Sequence, residues 1–181
     1  MIGDLATREG VLAFLDAQKN AVVGLFERAG EVRPYAIIFS DRSPSGEPFV
    51  DRMGKRVTKA GFIFPEDLGD PRAKDDFVSA LGHLLERAHA CGVMFVAETW
   101  HAAPPPGGGR DDLPQDFSAP FQGRREAIMV LLEHVALEKP VMEDAEIERS
   151  ASGKGYVKPF VADPNTVRLG RFTHLLKRAD S

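Results

Sequence analysis

Val93-Met94-Phe95-Val96-Ala97 is apolar at every position, and Glu98-Thr99-Trp100-His101 follows with an abrupt change of polarity. A short run with both alternating faces apolar fits a strand covered on each side. Ala127 to Leu132 is a second such run, separated from the first by a long connection from Ala102 to Arg125. Parallel crossovers normally carry a helix, and this connection, with Pro104-Pro105-Pro106-Gly107-Gly108-Gly109 near its start, has no helical periodicity. The two runs are therefore expected as antiparallel neighbours, the exit of the first lying beside the start of the second.

Outward from that pair, Val11, Leu12, Leu15, Val22, Leu25, Phe26 and Ala29 recur at helical spacing and predict an amphipathic N-terminal helix ended by Gly30. Gly10 and Gly24 each cost about 1 kcal/mol in a helix interior, so a late start, a break or a bend is allowed there. Tyr35 to Ser40 reads as an inner strand. Asp41 to Ala60, with Ser43-Pro44-Ser45-Gly46-Glu47-Pro48 and the cations Arg52, Lys55, Arg56 and Lys59, reads as an exposed loop or ragged hairpin leading to the strand Gly61-Phe62-Ile63-Phe64. Asp70-Pro71 opens a central helix whose apolar face is Phe77, Leu81, Leu84, Ala88 and Cys91, with Gly92 as its stop. Ala145 to Arg149 and Tyr156 to Val161 form a hairpin around Ser152-Gly153-Lys154-Gly155, with Pro159 marking an edge strand. Val167 to Arg178 carries the pattern of a short C-terminal helix, with Leu169, Phe172 and Leu176 inward.

The order α-β-β-α-β-β-β predicts an α+β fold: a mainly antiparallel sheet of about five strands, packed by the N-terminal and central helices. It resembles the order of small scaffold domains of the roadblock and longin types, which mostly dock to other proteins. At 181 residues the chain suits a single domain, 1–181, with long loops at about 41–60 and 102–125. A net charge of −4 supplies no general attraction to nucleic acid or to an anionic membrane. The lone Cys91, the acidic N-terminal residues and the absence of a long apolar run point to a cytoplasmic protein without disulfide or signal segment.

Glu98 and Trp100 stand where a buried strand emerges, and antiparallel pairing brings Glu98 near Arg124, Arg125 and Glu126. A Glu98–Arg124 ion pair closing the hairpin end is the structural expectation. Paired carboxylates Glu98 and Glu126 beneath the long loop, with Trp100 as an apolar wall, are the catalytic alternative, a hydrolase. A metal set of Glu98, His101, Glu133 and His134 is disfavoured because the same pairing sends Glu133 and His134 to the opposite end of the sheet. Cys91 reads as buried filler, and the Ser152–Gly155 glycines as a hairpin turn, since no helix follows as in a phosphate-binding loop. Asp144, Glu146 and Glu148 share one strand face and read as a solvated row. No cofactor is called for. In the long connection, Leu113, Phe117 and Phe121 are apolar anchors suited to a partner's groove or to the domain itself.

Glu98-x-Trp100 before the loop and Arg124-x-Glu126 before the second apolar strand also form a pattern. In residues 70 to 135 it resembles that of a family of bacterial and phage proteins without an assigned activity. The resemblance transfers no catalytic residue; a phage origin would place the protein within the particle. The leading expectation is a non-enzymatic module that binds another protein chain or a copy of itself, through residues 102–123 and an exposed sheet edge.

Overall fold

The computed structural model describes residues 4–65, 68, 70–102, 124–162 and 175–176. Helix α1 spans Arg8–Ala29, capped by the Thr7 side chain, which accepts the Gly10 N–H, and ended by Gly30 at φ 76°. It runs unbroken through both internal glycines. A Cβ on Gly10 would lie 2.0 Å from the Asp4 carbonyl oxygen, so this glycine lets the incoming chain cross close to the helix.

Helix α2 spans Pro71–Arg87, with Asp70 accepting the Arg72 N–H and proline in the first turn, as the sequence signals. Its end is earlier than Gly92. Ala88 caps it and His89 takes a positive φ of 45°, so Ala90 and Cys91 already belong to the next strand. Cys91 and His89 are thus strand and turn residues rather than helical ones.

The strands are β1 (Tyr35–Ser40), β2 (Lys59–Ile63), β3 (Ala90–Ala102), β4 (Arg124–His134), β5 (Val141–Arg149), β6 (Gly155–Val157) and β7 (Val161–Ala162). They form one sheet in the order β2-β1-β3-β4-β5-β6, with β7 also on β5, and every pairing between them is antiparallel. The fold is α+β with seven strands rather than about five. Part of the difference is the ribbon after β5, where the ladder slips by one residue around Pro159, because Ile147 faces Val157 while Asp144 faces Val161.

Pleating divides the sheet between two cores. Ile37, Phe39, Met94, Val96, Ile128 and Val130 pack with Val11, Phe14, Leu15, Val22 and Phe26 of α1. Ala36, Ile38, Val93, Phe95 and Leu131 pack with Val78, Leu81 and Leu85 of α2 on the opposite face. The β3 and β4 runs are therefore covered on both sides, which is why they read as continuously apolar. Lys19 fastens α1 to β5 through Glu143 at 2.7 Å, with Asp16 at the same distance.

The 41–60 connection is a ragged hairpin, held by bridges between Arg42 and Pro48 and between Val50 and Arg56. The 150–154 turn, with Gly153 at φ 81°, joins β5 to β6 and so has no helix N-terminus to offer a phosphate. Leu113, Phe117 and Phe121 lie outside the described residues, as does most of the expected C-terminal helix. Of that helix Leu175 and Leu176 are described; Leu175 is buried in the α2-side core, and the Leu176 N–H donates to the buried Glu133 carboxylate. No described helix is long and apolar enough to cross a membrane.

Candidate functional site

At the far end of β3, register places Glu98 opposite Ile128 and Trp100 opposite Glu126. Both β3 residues extend past the end of β1, whose Tyr35 pairs with Val96. Glu98 reaches the link between α1 and β1, where its Oε1 accepts the N–H of buried Val32 at 2.5 Å. Glu126 accepts two hydrogen bonds from Arg149 of β5, at 2.6 Å from Nε and 2.5 Å from Nη2, and the guanidinium lies 5.7 Å from the Phe26 ring centre. Glu98 and Glu126 are thus brought together as the sequence implied, but each already has a structural partner. Arg124 stands opposite Ala102, four residues beyond Glu98, and its side chain lies outside the described atoms. The partners found here, Val32 and Arg149, escaped the sequence reading; the period-two relation of Arg149 to the inward Ile147 was the available signal.

Burial raises the Glu98 carboxyl above its ordinary 4.5, against the Val32 N–H and Arg149, which favour its charge; the charges of Glu126 and Glu31 add to the rise. A carboxyl raised in the folded state takes up its proton before the unfolded chain does. Its stabilising share is present below the ordinary value and lost as pH rises through the folded value. Glu98→Ala is expected to cost about 1–3 kcal/mol by orphaning the Val32 N–H. Glu98→Gln keeps an acceptor and should gain on the wild type as pH rises from about 4 to about 7. Denaturant midpoints across that range check this; parallel pH curves for the two proteins would contradict it.

At the other sheet end Gly92 faces His134. Six residues of β4 separate His134 from the partner of Glu98, about 20 Å at a strand's rise, so the two carry no common ion. His134 is buried, and its Nδ1 accepts the Ala136 N–H at 3.0 Å, leaving the neutral ring's proton on Nε2, which points at Cys91 Sγ 3.7 Å away. That nitrogen already carries a hydrogen and has no lone pair with which to deprotonate the thiol. Burial pushes the Cys91 thiol up to about 11, with the Asp41 charge adding to it, and burial also lowers the His134 imidazole. The pair is a packing contact, not an activated nucleophile. Lys158, just after β6, lies 2.6 Å from Glu148 and 3.3 Å from Glu146 of β5, so a lysine serves the acidic row.

A third region lies at the margin of the sheet. Strand β2 is exposed along most of its length, and no described residue pairs with its outer edge. Phe62 and Phe64 are 53% and 67% exposed, stack 6.4 Å apart at 12°, and lean on Tyr35 at 6.3 and 5.9 Å. Between these rings and Leu25, Ala29 and Val32 lies an apolar cavity of about 350 Å³. A second, of about 620 Å³, shares Gln18 and Phe62 with it and extends to Lys55, Arg56 and Thr58. The groove exists because α1 stops short of β2, a lateral offset that periodicity does not encode. No family model, curated protein or solved structure matches the chain.

Proposed function

We propose that the protein is a non-enzymatic binding module that takes up an extended segment of a partner protein along the outer edge of β2. One observation carries the reading: the two margins of the sheet are built differently. The β6–β7 margin is broken by Pro159 and a slipped ladder, both of which discourage strand addition. The β2 margin is continuous from Lys59 to Ile63 and runs beside an apolar groove with exposed aromatic rings. Main-chain hydrogen bonds to the edge would supply affinity, and alternate side chains entering the groove would supply selectivity.

The hydrolase reading draws support from the raised Glu98 carboxyl, a property useful in a general acid. Against it, Glu98 is engaged by Val32 and Glu126 by Arg149. Selection of a random peptide library on the immobilised full chain tests the binding reading. Enriched peptides should lose most of their affinity for a Phe62→Ala/Phe64→Ala variant, in which both replaced side chains are exposed and whose folding is checked by its thermal midpoint. Peptides that bind both proteins equally, or no enrichment at all, would count against β2. Turnover of an ester, amide or glycoside substrate abolished by Glu98→Gln at unchanged stability would put the hydrolase first.

A further inference from the structure

Resting on the β2 reading, we infer a polarity for the bound segment: it runs antiparallel to β2, places apolar side chains at alternate positions, and ends in acidic residues at its C-terminal side. The groove is chemically two-ended. Beside the Phe64 end of β2 the charges of Glu31 and Arg33 meet each other at 3.4 Å, leaving Leu25, Val32 and the two phenylalanines to define an apolar surface. Toward the Lys59 end, Lys55 and Arg56 line the second cavity, with Lys59 on the strand and Arg52 in the 51–55 turn, all four exposed, in a chain whose net charge is −4. Two carboxylates stand near them, Asp4, paired with Lys55 at 3.3 Å, and Asp51, which accepts the N–H groups of Met53 and Lys55, so that four cations face two anions. Arg52 and Arg56 have no ion-pair partner among the described residues. The free charge at this end is therefore positive.

Direction follows from the sheet. Every pairing between its strands is antiparallel, and the antiparallel ladder is the more stable per residue. A strand added to β2 in that sense has its N-terminal part beside Phe62 and Phe64 and its C-terminal part beside the cations. Side chains two residues apart in a strand are separated by roughly 6.8 Å, close to the 6.4 Å between the Phe62 and Phe64 rings, so alternate side chains match the groove's aromatic spacing. A second copy of this chain fits less well. Antiparallel pairing of β2 with itself would set the cationic end of each copy against the apolar cavity of the other.

The experiment uses the full chain and three labelled peptides of alternating valine and threonine: one with C-terminal glutamates, one with the glutamates moved to the N-terminus, and one with glutamines in their place. Fluorescence anisotropy should find the first bound about tenfold more tightly than the others, with the preference shrinking in high salt and in Arg56→Gln. Equal binding of all three, still lost in the Phe62→Ala/Phe64→Ala variant, overturns the polarity while leaving β2 docking in place. No binding of any peptide overturns both. Light scattering that reports dimers dissociated by the same double variant overturns the partner assignment in favour of a second copy.

Discussion

Phe39→Ala is expected to destabilise the protein by about 3–5 kcal/mol, the usual cost of emptying a fully buried aromatic site. Phe39 is 0% exposed and sits edge-on to Phe14 of α1 at 5.2 Å and to His134 of β4 at 5.6 Å. It therefore joins the helix, the β1 strand and the far end of the central hairpin in one contact. For a chain of this size each 1 kcal/mol corresponds to about 2–4 °C, so calorimetry should find a midpoint lowered by roughly 6–20 °C. A shift of under about 3 °C would mean that this packing is not where the α1-side core is secured.

Gly92→Ala should also destabilise, by about 1–3 kcal/mol, although alanine is ordinarily the better residue in regular structure. A Cβ at position 92 would stand 2.2 Å from His134 Cδ2 and 3.0 Å from Phe39 Cδ2. The imidazole cannot turn aside freely, since it is held by the Ala136 N–H and packed on Phe39. Gly82 in α2 provides the opposite case, because nothing lies within 4 Å of its added Cβ. Gly82→Ala is thus the control and should stabilise by about 0.5–1 kcal/mol. The sign of the difference between the two variants, read from denaturant midpoints, is the check.

These two glycines mark the boundary of what was legible in the sequence. Asp70-Pro71 and Gly30 announced helix ends because caps act through local geometry. Gly92 looked like another stop, but its reason is a close approach across two strands, and the helix ends instead at Arg87, with the turn into β3 made by His89, a residue type that gives little warning of a positive φ. The antiparallel pairing of β3 and β4 could be read because a connecting sequence without helical periodicity leaves little alternative. It carried with it the meeting of Glu98 and Glu126 and the separation of Glu98 from His134.

What escaped was whatever depends on rigid-body placement. Val32 reaches Glu98 through the path of the α1–β1 link, and Arg149 reaches Glu126 through the register of β5. The alternation of Ala60, Phe62 and Phe64 was visible, yet whether that face is covered depends on where α1 lies across the sheet. An uncovered Phe62 and a covered Phe39 belong to the same pleated face and differ only in their distance from the helix.

Amide hydrogen exchange of the full chain, with and without a saturating amount of the C-terminally acidic peptide, tests most directly whether the open margin of the sheet receives a strand. The expected result is slowed exchange centred on Lys59–Ile63, with the β6–β7 ribbon unchanged. Slowed exchange on that ribbon, or a bound peptide that leaves the β2 amides as they were, would contradict it.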